Sequence, residues 1–266
     1  MKDILAEIVA YKRTVIAAAK AQRSISDLEN APLFNRSVFS LVNFLQQPQK
    51  SGIIAEYKRK SPSKGVINDR SNVEEVTQAY ANSGASGLSV LTDDKFFGGS
   101  NDDLTKARTL VEIPILRKDF IVDEYQVYEA RAIGADVILL IAECLTKEEV
   151  LHLSGVAHNL GMEVLLEMHT ETQLDKVSEH VNMVGINNRD LITFNVDIDR
   201  SIALAAKLPA DKIKVAESGI DNIDTIVTLR DAGFKGFLMG EYFMKQEVPG
   251  KAFNDFVNGL AQTKSR

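Results

Sequence analysis

An α/β protein built as a single closed (β/α)8 barrel, a TIM barrel, is the fold the sequence predicts. Three observations carry this: eight short runs rich in Val, Ile and Leu, segments of helical length between them, and no Gly-x-Gly-x-x-Gly turn after the first run. The runs occupy residues 53–58, 87–91, 115–118, 136–141, 163–167, 183–187, 213–216 and 236–239. Continuous apolar strands alternating with helices imply parallel strands covered on their outer side. Eight such units suit a closed barrel, whose usual size is about 250 residues. A doubly wound open sheet is the rival, and the missing glycine fingerprint ranks it lower.

Helical candidates between the runs include 73–83, 124–134, 147–160, 171–179 and 222–232. Thr146 and Thr170 precede two of them, each followed by acidic residues, a pattern that satisfies the free amides of a first helical turn. Gly84, Gly134, Gly161 and Gly233 stand where helices should stop. Residues 1–47 fall outside the repeat. Within them 2–22 read as one amphipathic helix and 36–45 as a shorter helical piece. The expected organisation is an N-terminal helical extension, 1–47, packed on a barrel of residues 48–266, with residues 47–52 as the connector.

Composition narrows the classes. The 266 residues allow one large domain or two small ones, and 45% apolar with 26% charged residues is an ordinary globular balance. Lys plus Arg is 31 against 37 Asp plus Glu, a net charge of −6 that disfavours a broad nucleic-acid groove. Cys144 is the one cysteine, so neither an intramolecular disulfide nor a cysteine-based zinc cluster can form. No apolar run approaches the roughly 20 residues of a membrane span. Charges at Glu7, Lys12, Arg13 and Lys20 rule out the apolar stretch of a secretory signal. The expectation is a cytoplasmic protein, a monomer or weak homodimer, with a small-molecule partner and neither nucleic acid nor membrane.

Where polar residues stand on the strands points to chemistry. Side chains alternate along a strand, so Glu56 and Lys58 share a face with Ile54, Lys118 with Leu116, and Glu167 with Leu165. Run six ends in Asn187, and run seven is followed by Glu217, Ser218 and Gly219. Polar groups therefore fall at the C-terminal ends of several strands, which in a closed barrel converge on the mouth where active sites lie. A lone Lys or Glu ending a strand is usually only solvated. Several on the inner face need partners or a ligand to offset desolvation, and together they supply proton donors and acceptors.

Gly219 after run seven and Gly240-Glu241 after run eight stand where barrels commonly bind phosphate through backbone N–H groups; ordinary helix-entry turns are the alternative. Arg189 can add a charged fork to a phosphate or pair with Asp190. Ser61-Pro62-Ser63-Lys64-Gly65 is a lid or a plain surface loop. Phe97 and Phe120 suit an aromatic substrate or simply pack. His152, His158, His169 and His180 show no ligand spacing, so a metal site has weak support, and His169 is expected on the surface. Cys144 reads as a small packing residue.

These segments together resemble the indole-3-glycerol-phosphate synthase family. The stretches that carry the likeness are 54–65, 89–100, 114–121, 166–167, 185–191 and 216–220, among them Glu56-Tyr57-Lys58-Arg59-Lys60-Ser61-Pro62-Ser63-Lys64-Gly65 and Leu116-Arg117-Lys118-Asp119-Phe120. The resemblance implies a (β/α)8 barrel with an N-terminal extension and no metal or organic cofactor. The implied reaction turns 1-(2-carboxyphenylamino)-1-deoxyribulose 5-phosphate into indole-3-glycerol phosphate, CO2 and water, in tryptophan biosynthesis. It implies Lys118 as general acid, Lys58 and Glu167 sharing the acid and base roles of dehydration, and Glu56 and Asn187 as orienting partners. Glu217 and Ser218 line the mouth. Gly219, Gly240, Ser61, Lys58 and Arg189 hold the phosphate, and Phe97 and Phe120 flank the anthranilate ring. Many members carry Ser or Thr where this chain has Glu241, so only the backbone N–H carries over there and the side chain is expected to point away.

Two other readings remain at this point. Phosphoribosylanthranilate isomerase would share the phosphate turns, but it is expected to use a Cys and Asp pair, for which Cys144 is misplaced. A sugar-phosphate sensor would have no need of the general base that Glu167 offers.

Overall fold

The computed structural model describes residues 4–190 and 195–263. Eight parallel strands close into a barrel: β1 (Ile53–Tyr57), β2 (Gly87–Leu91), β3 (Ile115–Lys118), β4 (Val137–Ile141), β5 (Glu163–Met168), β6 (Met183–Asn187), β7 (Ile213–Glu217) and β8 (Gly236–Met239). Each strand pairs with its sequence neighbours and β8 returns to β1, Ile54 opposite Leu238. The strands are buried on both faces, which explains their unbroken apolar runs. Ile53, Ala55, Tyr57, Leu88 and Val90 face the helices. Ile54, Leu116, Leu139, Leu165, Val215 and Leu238 fill the barrel.

The predicted strands match to within a residue at either end. Two differences are informative. β7 runs one residue further, taking in Glu217, and β5 runs on to Met168. Helices Val73–Asn82, Glu124–Ile133, Lys147–Asn159 and Ile223–Asp231 follow the predicted segments. Thr146 accepts from Glu149 N–H in a capping box, and Gly134 takes φ 97° after its helix. Segment 171–179 is not an α-helix but a 3-10 helix, Glu171–Lys176. Gln173 Oε1 turns back to accept from His169 N–H and Thr170 N–H, while Lys176 Nζ donates to Ala142 O and Leu145 O. The Lys176 bonds, with Gln173 Nε2 donating to Glu143, tie the turn to the segment after β4.

Ahead of the barrel lie helices Ile4–Gln22, Ile25–Glu29 and Leu41–Gln46. The expected start of the first at Lys2 lies outside the described residues, as does Leu191 at the end of one resembling stretch. Segment 36–45 is helical only from Leu41 onward. Arg36 is spent on Gly134 O, Ala135 O and Asp136, and Phe39 N–H also donates to Asp136, which holds this stretch extended across the barrel floor. Ser40 caps the short helix and bonds Glu163, whose other oxygen accepts from Val42 N–H at 3.1 Å. Leu41 and Leu45 then close the bottom of the barrel, joining its interior cluster. A Cβ on Gly87 would lie 2.7 Å from Leu41 Cδ1, so a side chain there would push the plug aside.

Leu41 is fully buried, far from the polar mouth. Leu41→Ala should lower stability by about 2–5 kcal/mol in denaturant unfolding while leaving turnover within about twofold of the parent, since the change stays below the apolar layers. A loss of turnover at unchanged stability would contradict that separation of floor and mouth.

Candidate active site

Strand alternation points Glu56 of β1, Lys118 of β3, Glu167 of β5, Asn187 of β6 and Glu217 of β7 into the open end of the barrel. The ladder sets their heights: Glu167 stands opposite Gly185, and Asn187 opposite Glu217. Lys118 Nζ lies 3.5 Å from Glu167 Oε2. Asn187 Nδ2 donates to Glu167 Oε1 at 3.0 Å. Just beyond β1, Lys58 Nζ reaches Glu56 Oε1 at 2.6 Å, while Ser89 Oγ approaches the other Glu56 oxygen at 3.5 Å. Two glycines leave the space these acids fill. A Cβ at Gly240 would sit 2.6 Å from Glu56 Oε1, and one at Gly185 would overlap Glu217 Oε1.

The charges tune one another. Burial pulls the Lys118 ammonium toward its neutral form, but Glu167, Glu217 and Glu56 outweigh that and raise its pKa. Burial likewise opposes ionisation of Glu167, yet Lys118, His169 and the Asn187 amide prevail and lower it. Glu217 goes the other way. Burial and the neighbouring Glu167 charge, with Glu56 adding to them, push it well above the ordinary carboxyl value against the pull of Lys118. The mouth thus holds an amine and a carboxylate that each favour the charged form beside a carboxyl that holds its proton more tightly than usual. This is the divergence of neighbouring acids that proton-transfer sites exploit.

Residues beyond the sequence expectation shape the site. Lys12, on the first helix, is buried with Nζ 2.9 Å from Asp93 and 2.7 Å from Asp119. Asp93 accepts from Phe96 N–H and Phe97 N–H, and Asp119 from Phe120 N–H. One ammonium therefore braces both segments that carry Phe97 and Phe120, whose ring centroids lie 5.9 Å apart. Asp119 follows Lys118 directly and was visible as a neighbour, whereas Lys12 has no sequence signal beyond its helix. His169 is buried, not on the surface as expected. It lies two residues beyond Glu167 on the same face, with Nε2 3.4 Å from Glu167 Oε1. Cys144 packs between the inner and outer apolar clusters, as a packing residue should.

The loop after β1 is a small hairpin, Lys60–Ser61 against Gly65–Val66, which brings Ser61 and Lys64 to the rim. After β7, Ser218 and Gly219 both take positive φ, 65° and 68°, and Asn188 Nδ2 holds the turn through Ser218 O at 2.8 Å. Ser218 is the single non-glycine in the left-handed region among the described residues, a strained placement of the kind that marks functional turns. Arg189 does not pair with Asp190, which faces Arg200 at 3.5 Å. It faces Glu241, Nη2 to Oε2 3.6 Å, and Lys64 Nζ lies 3.7 Å from the other oxygen. The Glu241 side chain is therefore turned toward the cations of the rim, contrary to expectation, because they are the nearest charges that can offset it. No group of three or more His, Cys, Asp or Glu side chains among the described residues could hold a metal ion.

Such a site defines a TIM-barrel protein whose mouth gathers amines, carboxylates and an amide from five strands. The family model for indole-3-glycerol phosphate synthase matches residues 5–256, and the chain belongs to that family of carboxy-lyases of tryptophan biosynthesis. Its similarity to the indole-3-glycerol phosphate synthase of Bacteroides thetaiotaomicron is 47% identity, covering 98% of this chain and 100% of the relative. With that of Polaromonas sp. it is 44%, covering 95% and 97%. Among solved structures, 3-hexulose-6-phosphate synthase from Salmonella typhimurium superposes with TM-score 0.61 at 12% identity, covering 79% of this chain and 98% of that one. A mutant tryptophan synthase alpha-subunit from Pyrococcus furiosus gives 0.60 at 12% identity, covering 80% and 98%. At that identity these two share the fold.

A carboxyl whose pKa rises on folding binds its proton more tightly in the native chain. It therefore withdraws stability as pH climbs from its unfolded value of about 4.3 through the raised one. Glu217→Gln lacks that titration. Its melting temperature relative to the parent should climb as pH rises above that unfolded value, by about 2–4 °C for each kcal/mol. Paired thermal melts measure this, and a difference independent of pH would mean Glu217 is ionised throughout.

Proposed function

We propose that the family's ring closure, decarboxylation and dehydration run in this chain on Lys118, Glu167 and Lys58. The Lys118 ammonium donates a proton to the ketone oxygen of the ribulose portion, which makes the ketone carbon electrophilic. The aromatic carbon bearing the carboxylate attacks it and a carbon–carbon bond forms. The bond to the carboxylate then breaks, CO2 leaves, and its electron pair returns to the ring. Dehydration follows: the new hydroxyl departs with a proton from one of Lys58 and Glu167, and the other removes the proton from the carbon beside nitrogen, completing the indole. Glu56 orients Lys58, and Asn187 orients Glu167. Glu217 and Ser218 line the mouth.

The phosphate rests on the Gly219 turn and the backbone N–H groups of Gly240 and Glu241, with Ser61, Lys58 and Arg189 around it. Phe97 and Phe120 flank the anthranilate ring. We further propose that residues 1–47 act as an extension of the 48–266 catalytic barrel, and that the protein works in the cytoplasm as a monomer or weak homodimer. No described helix is long and apolar enough to cross a membrane. The observation that carries the mechanistic reading is the Lys118–Glu167 pair, 3.5 Å apart at the mouth, in a chain of this family.

Incubating the purified protein with the anthranilate-ribulose substrate should produce indole fluorescence. A positioned acid or base contributes roughly 10²–10⁴-fold, so Lys118→Met should lose at least that lower factor in kcat. Activity above about a tenth of the parent would remove Lys118 from the mechanism. Glu167→Gln should lose kcat comparably without unfolding, and a large drop in its melting temperature would instead assign Glu167 a structural role.

A further inference from the structure

Glu241 is a carboxylate at the place proposed to receive a dianion. Its two oxygens face two different cations, Lys64 at 3.7 Å and Arg189 at 3.6 Å. Those cations come from opposite sides of the mouth, one from the hairpin after β1 and the other from the segment after β6. Both separations exceed the 2.7–3.2 Å of an N–H···O hydrogen bond. The side chains remain open to water, Lys64 by 51%, Glu241 by 37% and Arg189 by 23%. Ion pairs of this kind are weak and readily exchanged. Arg189 also has capacity left over, since its Nε is buried with no hydrogen-bond partner among the described residues. A guanidinium in that condition suits a phosphate, which offers several oxygens to its planar fork where Glu241 engages it through one.

We propose that Glu241 is the resident counter-anion of the phosphate seat: it engages Lys64 and Arg189 while the seat is empty, and the substrate's phosphate displaces it. This rests on the phosphate reading given above. The tethered carboxylate competes with every incoming anion by the same free energy, but the consequence for occupancy differs. The substrate is also held by its ring and its sugar hydroxyls and remains bound. Free inorganic phosphate has only the seat, and competition keeps its occupancy low. Glu241 thereby lowers the seat's occupancy by free phosphate at a given concentration, while the substrate stays bound through its other contacts.

The test measures the substrate KM and the inhibition constant of inorganic phosphate for the parent, Glu241→Gln, Glu241→Ser, Arg189→Met and the Glu241→Gln/Arg189→Met double variant. Both Glu241 variants should lower the phosphate inhibition constant and the substrate KM by a common factor of about three to ten, equal to about 0.7–1.4 kcal/mol. Arg189→Met should raise both constants, and in that background Glu241→Gln should have less effect. If Arg189→Met raises both constants while neither Glu241 variant lowers them, the counter-anion role is overturned and the phosphate seat stands. If Arg189→Met leaves both unchanged, the seat itself is misplaced and the inference falls with it.

Discussion

A half-buried ammonium shared among carboxylates at the open end of an apolar barrel is the constraint the rest of the structure serves. Lys118 reaches Glu167 directly, and Glu217 and Glu56 act on it through their charge. Removing such groups from water costs free energy that only close pairing offsets. The surroundings are arranged to make that pairing possible. Gly185 and Gly240 give the acids room on the neighbouring strands, Asn187 fixes the Glu167 carboxylate, and the layers below are apolar down to the Leu41 plug. The charges therefore stay on the side open to substrate.

The N-terminal extension touches both ends of this arrangement. At the floor, Leu41 and Leu45 close the barrel, and Arg36 latches onto Asp136. At the mouth, Lys12 braces Asp93 and Asp119, which in turn fix the backbone beside Phe97 and Phe120. The placement of Phe97 and Phe120 is thus set by a helix that precedes the first strand by some thirty residues of chain. Its own contribution is electrostatic: burial works against the Lys12 charge, and the two aspartates outweigh it and raise its pKa.

Barrel strands were legible because a sheet buried on both faces demands unbroken apolar runs, and period-two alternation then assigned Glu56, Lys118 and Glu167 to one face. Glu217 was recognisable as a neighbour of the mouth but not as a strand residue, because an acid followed by Ser218 and Gly219 reads as the start of a turn. The failures share a cause. The stretch around Arg36 is extended because a distant aspartate claims its donors, and 171–179 stops early because Gln173 and Lys176 bond to the segment after β4. Lys12 and the orientation of Glu241 likewise depend on partners far along the chain, which local pattern does not encode. The partner of Arg189, Glu241 and not the adjacent Asp190, is a matter of three-dimensional placement alone.

The most direct test of the charge network is the titration of Lys118 itself, followed through the NMR shift of its ε-carbon in protein carrying labelled lysine, with Lys118→Met used for assignment. The carboxylates around it should keep Lys118 protonated beyond the ordinary lysine pKa of about 10.4. Deprotonation at or below that value would show that burial outweighs the pairing, and the account of an ammonium held ready at the mouth would fail.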